Sequence, residues 1–201
     1  MTQSNLSAAV SKGAVTLSLV LLASACSTAP MQATGAATAP SMSTKPVFSQ
    51  VTLADAVKVP AGNQVKSELV GSGLITYECR SKAAVVGQFE WVFVGPDAKL
   101  MDRDGKLVGK YFGPPATWES NDGSKVTGTQ LAVAPSSAGN IPFQLLKANS
   151  SAAAGSLQGI SFVQRVATQG GIAPSAVCDA ATSGQKSLVK FQADYIFWIP
   201  S

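Results

Sequence analysis

The stretch Leu188-Val189-Lys190-Phe191-Gln192-Ala193-Asp194-Tyr195-Ile196-Phe197 decides how the chain folds. Val189, Phe191, Ala193, Tyr195 and Phe197 fall on one face, with Lys190, Gln192 and Asp194 on the other. A period of two in β-branched and aromatic residues marks a strand with one buried face. Upstream, Leu74-Ile75-Thr76-Tyr77-Glu78-Cys79-Arg80 sets Ile75, Tyr77 and Cys79 against Thr76, Glu78 and Arg80. Phe89-Glu90-Trp91-Val92-Phe93-Val94 puts three aromatics on one face, and Gly95-Pro96 is expected to end that strand. Further strands are expected over 125–133, 143–148 and 160–166. Asp102-Arg103-Asp104-Gly105-Lys106 reads as a turn between short strands, and Gly113-Pro114-Pro115, residues 136–140 and Gly170-Gly171 as joints. No segment sustains a helical period. The expected fold over residues 47–201 is all-β, mainly antiparallel: one domain, a β-sandwich or barrel with long Gly/Pro-rich loops.

The first 25 residues, MTQSNLSAAVSKGAVTLSLVLLASA, have another character. A polar start carrying Lys12 is followed by an apolar run from Ala14 to Leu22 and the small residues Ala23, Ser24 and Ala25. This is the layout of a removable secretory signal, its apolar core too short to span a bilayer. Leu22-Ala23-Ser24-Ala25-Cys26 resembles a bacterial lipobox, which implies a lipid on Cys26. Two or more acyl chains make such anchoring stable. Ala23-x-Ala25 also satisfies ordinary signal cleavage, which would leave a soluble secreted or periplasmic product. Residues 26–46 are rich in Ser, Thr, Ala, Pro and Gly. That composition buries too little apolar surface to fold and reads as a tether reaching roughly 25 Å. Ser27 is not an acidic retention residue, so an outer-membrane or periplasm-facing address follows for a Gram-negative source.

Loss of Lys12 with the signal lowers the formal charge of +4 by one, and the remaining charge is dispersed. No basic run interleaves with aromatics, so nucleic acid is not an expected partner. The chain contains no histidine. This removes Ser-His-Asp and Cys-His nucleophiles, histidine acid–base work and the common zinc sites. No cofactor or metal is expected. Cys79 and Cys178 form an even pair, which in an exported chain reads as a disulfide.

Tyr77-Glu78-Cys79-Arg80, Trp91-Val92-Phe93, Asp104-Gly105-Lys106, Thr117-Trp118-Glu119, Asp122-Gly123-Ser124-Lys125-Val126, Ile141-Pro142-Phe143, Gln164-Arg165-Val166 through Gly170-Gly171, Cys178-Asp179 and Ala193-Asp194-Tyr195 occur in this order. Together, over roughly residues 50–198, they resemble a family of unknown function, number thirty-four fifty-five, whose members are secreted fungal and bacterial chains. The resemblance implies no established activity and supports the pairing of Cys79 with Cys178. Some fungal relatives are labelled malate dehydrogenases. This chain lacks a G-x-G-x-x-G fingerprint, βαβ alternation and a histidine base, parts that hydride transfer from a dinucleotide needs. It also departs from the family near Lys110-Tyr111-Phe112-Gly113-Pro114, where relatives commonly carry a histidine.

The candidate ligand site is the stretch from Tyr111 to Lys125, with Tyr111, Trp118, Glu119, Asp122 and Lys125 as its members. Rings beside carboxylates suit a carbohydrate or another envelope component. The plainer reading makes Trp118 a core residue and Asn121-Asp122-Gly123-Ser124 a hairpin turn. Glu119 and Asp122 have a spacing that permits a glycosidase-type acid–base pair. Arg165, Asp179 and Asp194 are candidates for mutual ion pairing. The expected function is that of an exported envelope lipoprotein acting as a non-catalytic binding or structural module. The alternative is a hydrolase of envelope polysaccharide working through acidic residues.

Overall fold

Alternation in the sequence becomes alternation about a closed wall. In the computed structural model, which describes residues 48–150 and 154–201, eight antiparallel strands form one barrel in chain order. They are β1 (Asn63–Ser81), β2 (Phe89–Met101), β3 (Leu107–Phe112), β4 (Thr117–Ser120), β5 (Lys125–Ala134), β6 (Phe143–Ser150), β7 (Phe162–Gly170) and β8 (Lys186–Pro200). The last strand returns to the first, Asn63 lying opposite Pro200 and Glu78 opposite Lys186. The all-β, antiparallel expectation therefore holds, and its sandwich-or-barrel alternative resolves to a barrel. The expected signal at 1–25, the expected lipidation site Cys26 and the expected tether at 26–46 lie outside the described residues.

The barrel interior is filled by side chains of contrasting size. Trp118, Tyr195, Tyr111, Phe191 and Phe197 share it with Ala98, Ala193, Leu100, Leu146 and Val163. Two glycines face the largest rings: a Cβ at Gly71 would strike the Tyr195 ring, and one at Gly128 would lie 3.0 Å from Trp118 Cζ3. Each glycine stands on the strand paired with that of the ring, β1 beside β8 and β5 beside β4, and gives the ring room inside the wall; the result is a packed core rather than a pore.

A second apolar cluster lies outside the wall. The segment from Phe48 to Pro60, with a single 3-10 turn at Asp55–Val57, lays Val57 and Val59 against Ala134, Leu145, Val166, Ile196 and Trp198. Gln164, buried on this outer face, donates from Nε2 to the Val57 carbonyl at 2.5 Å. The last turns of β8 are consequently covered on both faces, and Tyr195, Ile196, Phe197 and Trp198 are all buried.

Two expectations about strand limits are corrected. β1 begins at Asn63, well before the expected start at Leu74, because Gly71 and Gly73 serve close approach instead of interrupting the strand. β2 does not stop at Gly95-Pro96. It bulges near Val94 and continues to Met101. β3 pairs with β2 only from Asp97, so on that side the missing N–H of Pro96 forfeits no ladder bond. Among the described residues, the edge from Phe89 to Pro96 is therefore paired on one side only.

Cys79 and Cys178 are bonded, with Cα atoms 5.5 Å apart, which fastens the β7–β8 connection to β1. The expected mutual pairing of Arg165, Asp179 and Asp194 does not occur. Arg165 donates to the Pro142 carbonyl, Asp194 meets Arg103, and Asp179 accepts from the backbone of Ala181 and Thr182. Strand direction explains this: Arg165 shares the inward parity of Val163, whereas Asp194 faces out.

All three tyrosines of the chain, Tyr77, Tyr111 and Tyr195, are buried. Burial raises each phenol above its ordinary value near 10, with the Arg165 charge opposing the shift. The native state thus holds protons that the unfolded chain releases, so the tyrosines' contribution to stability is constant below pH 10 and falls above it. Titration followed by phenolate absorbance should show no rise in the folded protein at pH 10. The rise should then coincide with loss of structure. A reversible native titration near 10 would contradict the interior placement.

Candidate functional site

One end of the barrel is built from the start of β1, the end of β2, the start of β3, the end of β4 and the segment between β6 and β7. The β4–β5 turn organises that end. Asp122 Oδ1 accepts from the Ser124 N–H at 2.9 Å and its hydroxyl at 2.6 Å, and Oδ2 accepts from the Ser156 N–H at 2.7 Å. Ser124 Oγ in turn accepts from the Leu157 N–H at 3.1 Å, and Ser156 Oγ donates to Ser120 Oγ at 2.8 Å. Lys66 Nζ closes the other side on the Gln158 carbonyl at 2.7 Å. These bonds seat Leu157 and Ile160 in the barrel end, both buried. The donors around Asp122, the Ser124 hydroxyl first among them, hold its carboxyl far below the usual carboxylate range.

The plug is incomplete. Beside it a cavity of about 310 Å³ remains, walled by Leu69, Leu100, Val108 and Leu157. Hydroxyls of Ser67, Ser120 and Ser156 also line it. An apolar cavity carrying a few polar groups is the usual form of a small-molecule site, at the lower end of the common size range. Mouths of β-barrels are among the places where such sites occur. Water in contact with four aliphatic side chains gains little, so an apolar occupant would be favoured there.

The five residues singled out from sequence are divided among three places. Tyr111 and Trp118 face the barrel interior and stack with centroids 4.9 Å apart and planes at 20°. The Trp118 N–H and the Tyr195 hydroxyl form no well-aligned hydrogen bond with any described residue, although Tyr111 and Arg165 lie within electrostatic reach of Tyr195. Glu119 and Lys125 meet on the outer face, Nζ to Oε2 at 3.1 Å, with Lys110 at 3.5 Å from the same oxygen. The Lys125 bond, reinforced by the Lys110 charge and partly offset by burial, lowers the Glu119 carboxyl. Asp122 stands at the rim, bonded to the β6–β7 segment. Adjacent residues of a strand point to opposite faces, so Trp118 and Glu119 cannot share a pocket. The cavity walls lie outside the 111–125 stretch except for Ser120. Only the inward alternation of Ala98 and Leu100 hinted at them in the sequence.

A family model described as "Protein of unknown function (DUF3455)" matches residues 60–199, nearly the whole barrel from β1 to β8. No curated protein and no solved structure matches the chain.

Proposed function

This chain belongs to the DUF3455 family of proteins of unknown function, and we propose that it is a non-catalytic binding module that takes a small apolar molecule in the mouth of its barrel. The observation that carries the reading is the cavity of about 310 Å³ with Leu69, Leu100, Val108 and Leu157 as its walls. The plug beside it is held by Asp122, Ser124 and Lys66, so the site is pre-formed. Pre-formed sites avoid the ordering cost of binding.

The proposed setting is the cell envelope, with the protein exported by its signal and anchored through a lipid on Cys26. The bond between Cys79 and Cys178 supports an oxidising compartment. Incorporation of a palmitate analogue into the wild type but not into Cys26→Ser is the expected result; an unlabelled wild type would remove the anchor. The binding reading is preferred to a polysaccharide hydrolase acting through Glu119 and Asp122. Both carboxyls are held as anions by their donors, whereas a glycosidase general acid keeps its proton near neutrality.

The neutral fluorophore N-phenyl-1-naphthylamine tests the site. Its emission should rise saturably with one molecule bound per chain. Leu69→Trp, which fills the cavity from β1, should weaken binding at least roughly tenfold, about the effect of losing 1.4 kcal/mol. Leu188→Trp, on the exposed outer face of β8, should bind as the wild type does. Equal binding by the Leu69→Trp variant, or no saturable binding, would overturn the proposal.

A further inference from the structure

On the outer face, the register of four strands aligns four side chains in one row. Lys99 of β2 lies opposite Lys110 of β3, Lys110 opposite Glu119 of β4, and Glu119 opposite Lys125 of β5. Three ammonium groups thus line up with one carboxylate, which pairs with two of them, Lys110 and Lys125. Like charges directly opposite each other destabilise an antiparallel pair, and Lys99–Lys110 is such a pair. Lys110 is engaged by Glu119 and by the Phe112 ring, 5.3 Å from its centroid. Lys99 makes no ion pair or side-chain hydrogen bond among the described residues. A groove of about 380 Å³ runs beside the row, with Lys99, Lys110 and Glu119 along it, Asn121 at one end and the half-exposed aliphatic side chain of Leu107. Cations beside an exposed aliphatic group suit a surface that is anionic outside and apolar beneath.

The Phe48 N–H donates to Glu68 Oε1 at 2.7 Å, and Arg103 of the β2–β3 turn holds Glu68 Oε2 at 2.8 Å. The same turn leads directly into Leu107 and β3. Phe48, where the described residues begin, is thus linked through Glu68 and Arg103 to the turn that precedes Leu107 of the groove.

We propose that the row Lys99–Lys110–Lys125 is a contact for the phosphates of an anionic membrane, which lays the flank of the barrel formed by β2 to β5 against the surface. The proposal rests on the anchored reading for its cellular setting and is independent of the cavity in the barrel mouth. The Cys26→Ser chain separates the contact from any lipid anchor, and palmitate labelling reports on the anchor by itself. This chain should co-sediment with vesicles containing equimolar phosphatidylglycerol and phosphatidylcholine, and not with phosphatidylcholine alone. At about fivefold per lysine near an anionic surface, Lys99→Gln/Lys110→Gln should weaken that binding about 25-fold. The charge-matched control Lys186→Gln/Lys190→Gln, on β8, should bind like the parent. Equal losses in the two double variants would mean that only bulk charge matters and would overturn the proposal. Absence of a preference for phosphatidylglycerol would do the same. Displacement by inorganic phosphate at constant ionic strength would reassign the row to a free anion and likewise remove the membrane contact.

Discussion

Trp118→Ala should lower the stability of the folded domain by about 3–5 kcal/mol, the range for large aromatic truncations in well-packed cores. Trp118 is completely buried and sits at the centre of an aromatic cluster, 4.9 Å from the Tyr111 ring, 5.5 Å from Tyr195 and 6.1 Å from Phe197. The upper part of the range is expected because the site cannot collapse. Its neighbours are fixed on strands of a closed barrel, and Gly128, which faces the indole, has no side chain to move into the space. Trp118→Phe should cost much less. It keeps most of the ring volume and gives up no hydrogen bond, since the indole N–H makes none with the described residues. Urea unfolding of both variants measures the difference. A loss below about 1 kcal/mol for the alanine variant would show that the indole is not the centre of the core.

The second large effect is expected from the disulfide. Cys79 and Cys178 are 99 residues apart in sequence, and closing a loop of that size removes about 4–5 kcal/mol of chain entropy from the unfolded state. Cys79→Ser/Cys178→Ser should therefore be destabilised by a similar amount, a large share of a typical domain stability of about 5–15 kcal/mol. Cys79 is fully buried, its backbone exchanging hydrogen bonds with Gln185 and Gly184 of the β7–β8 connection. The Cys79 sulfur lies 3.5 Å from the Thr182 hydroxyl and 3.8 Å from the Asp179 carbonyl, so a serine there keeps polar neighbours and the loss reports chiefly on the bond. Equilibrium unfolding with and without reductant provides the comparison. Equal midpoints would show that the bond adds nothing to stability.

Where side chains follow strand geometry, the sequence made them legible. The alternation of Val189, Phe191, Ala193, Tyr195 and Phe197 correctly gave the inner face of β8, and the pair Cys79–Cys178 followed from composition and compartment. The first half of β1 was hidden because Gly71 and Gly73 are placed for the Tyr195 ring and the β2 backbone, a tertiary demand that strand propensity does not express. Barrel closure was equally hidden, since it depends on pairing between β1 and β8, strands distant in sequence. The stretch from Tyr111 to Lys125 looked like one site because its residues are consecutive. Successive side chains on β3 and β4 point to opposite faces, and this sends Tyr111 and Trp118 inward and Lys110 and Glu119 outward. The cavity in the barrel mouth draws on β1, β2, β3, β4 and the β6–β7 segment, a combination that no local motif announces.

The seam between the first and last strands also sets an order of events during biogenesis. The β1–β8 pairing spans nearly all of the domain, from Asn63 opposite Pro200 to Glu78 opposite Lys186. A nascent chain lacking the fifteen residues of β8 has no partner for that edge of β1 and no Tyr195 or Phe197 to fill the lumen. Contacts this distant in sequence form slowly, and none can form before β8 has been made. The barrel therefore closes only once β8 is available, and until then its inner residues stay open to solvent.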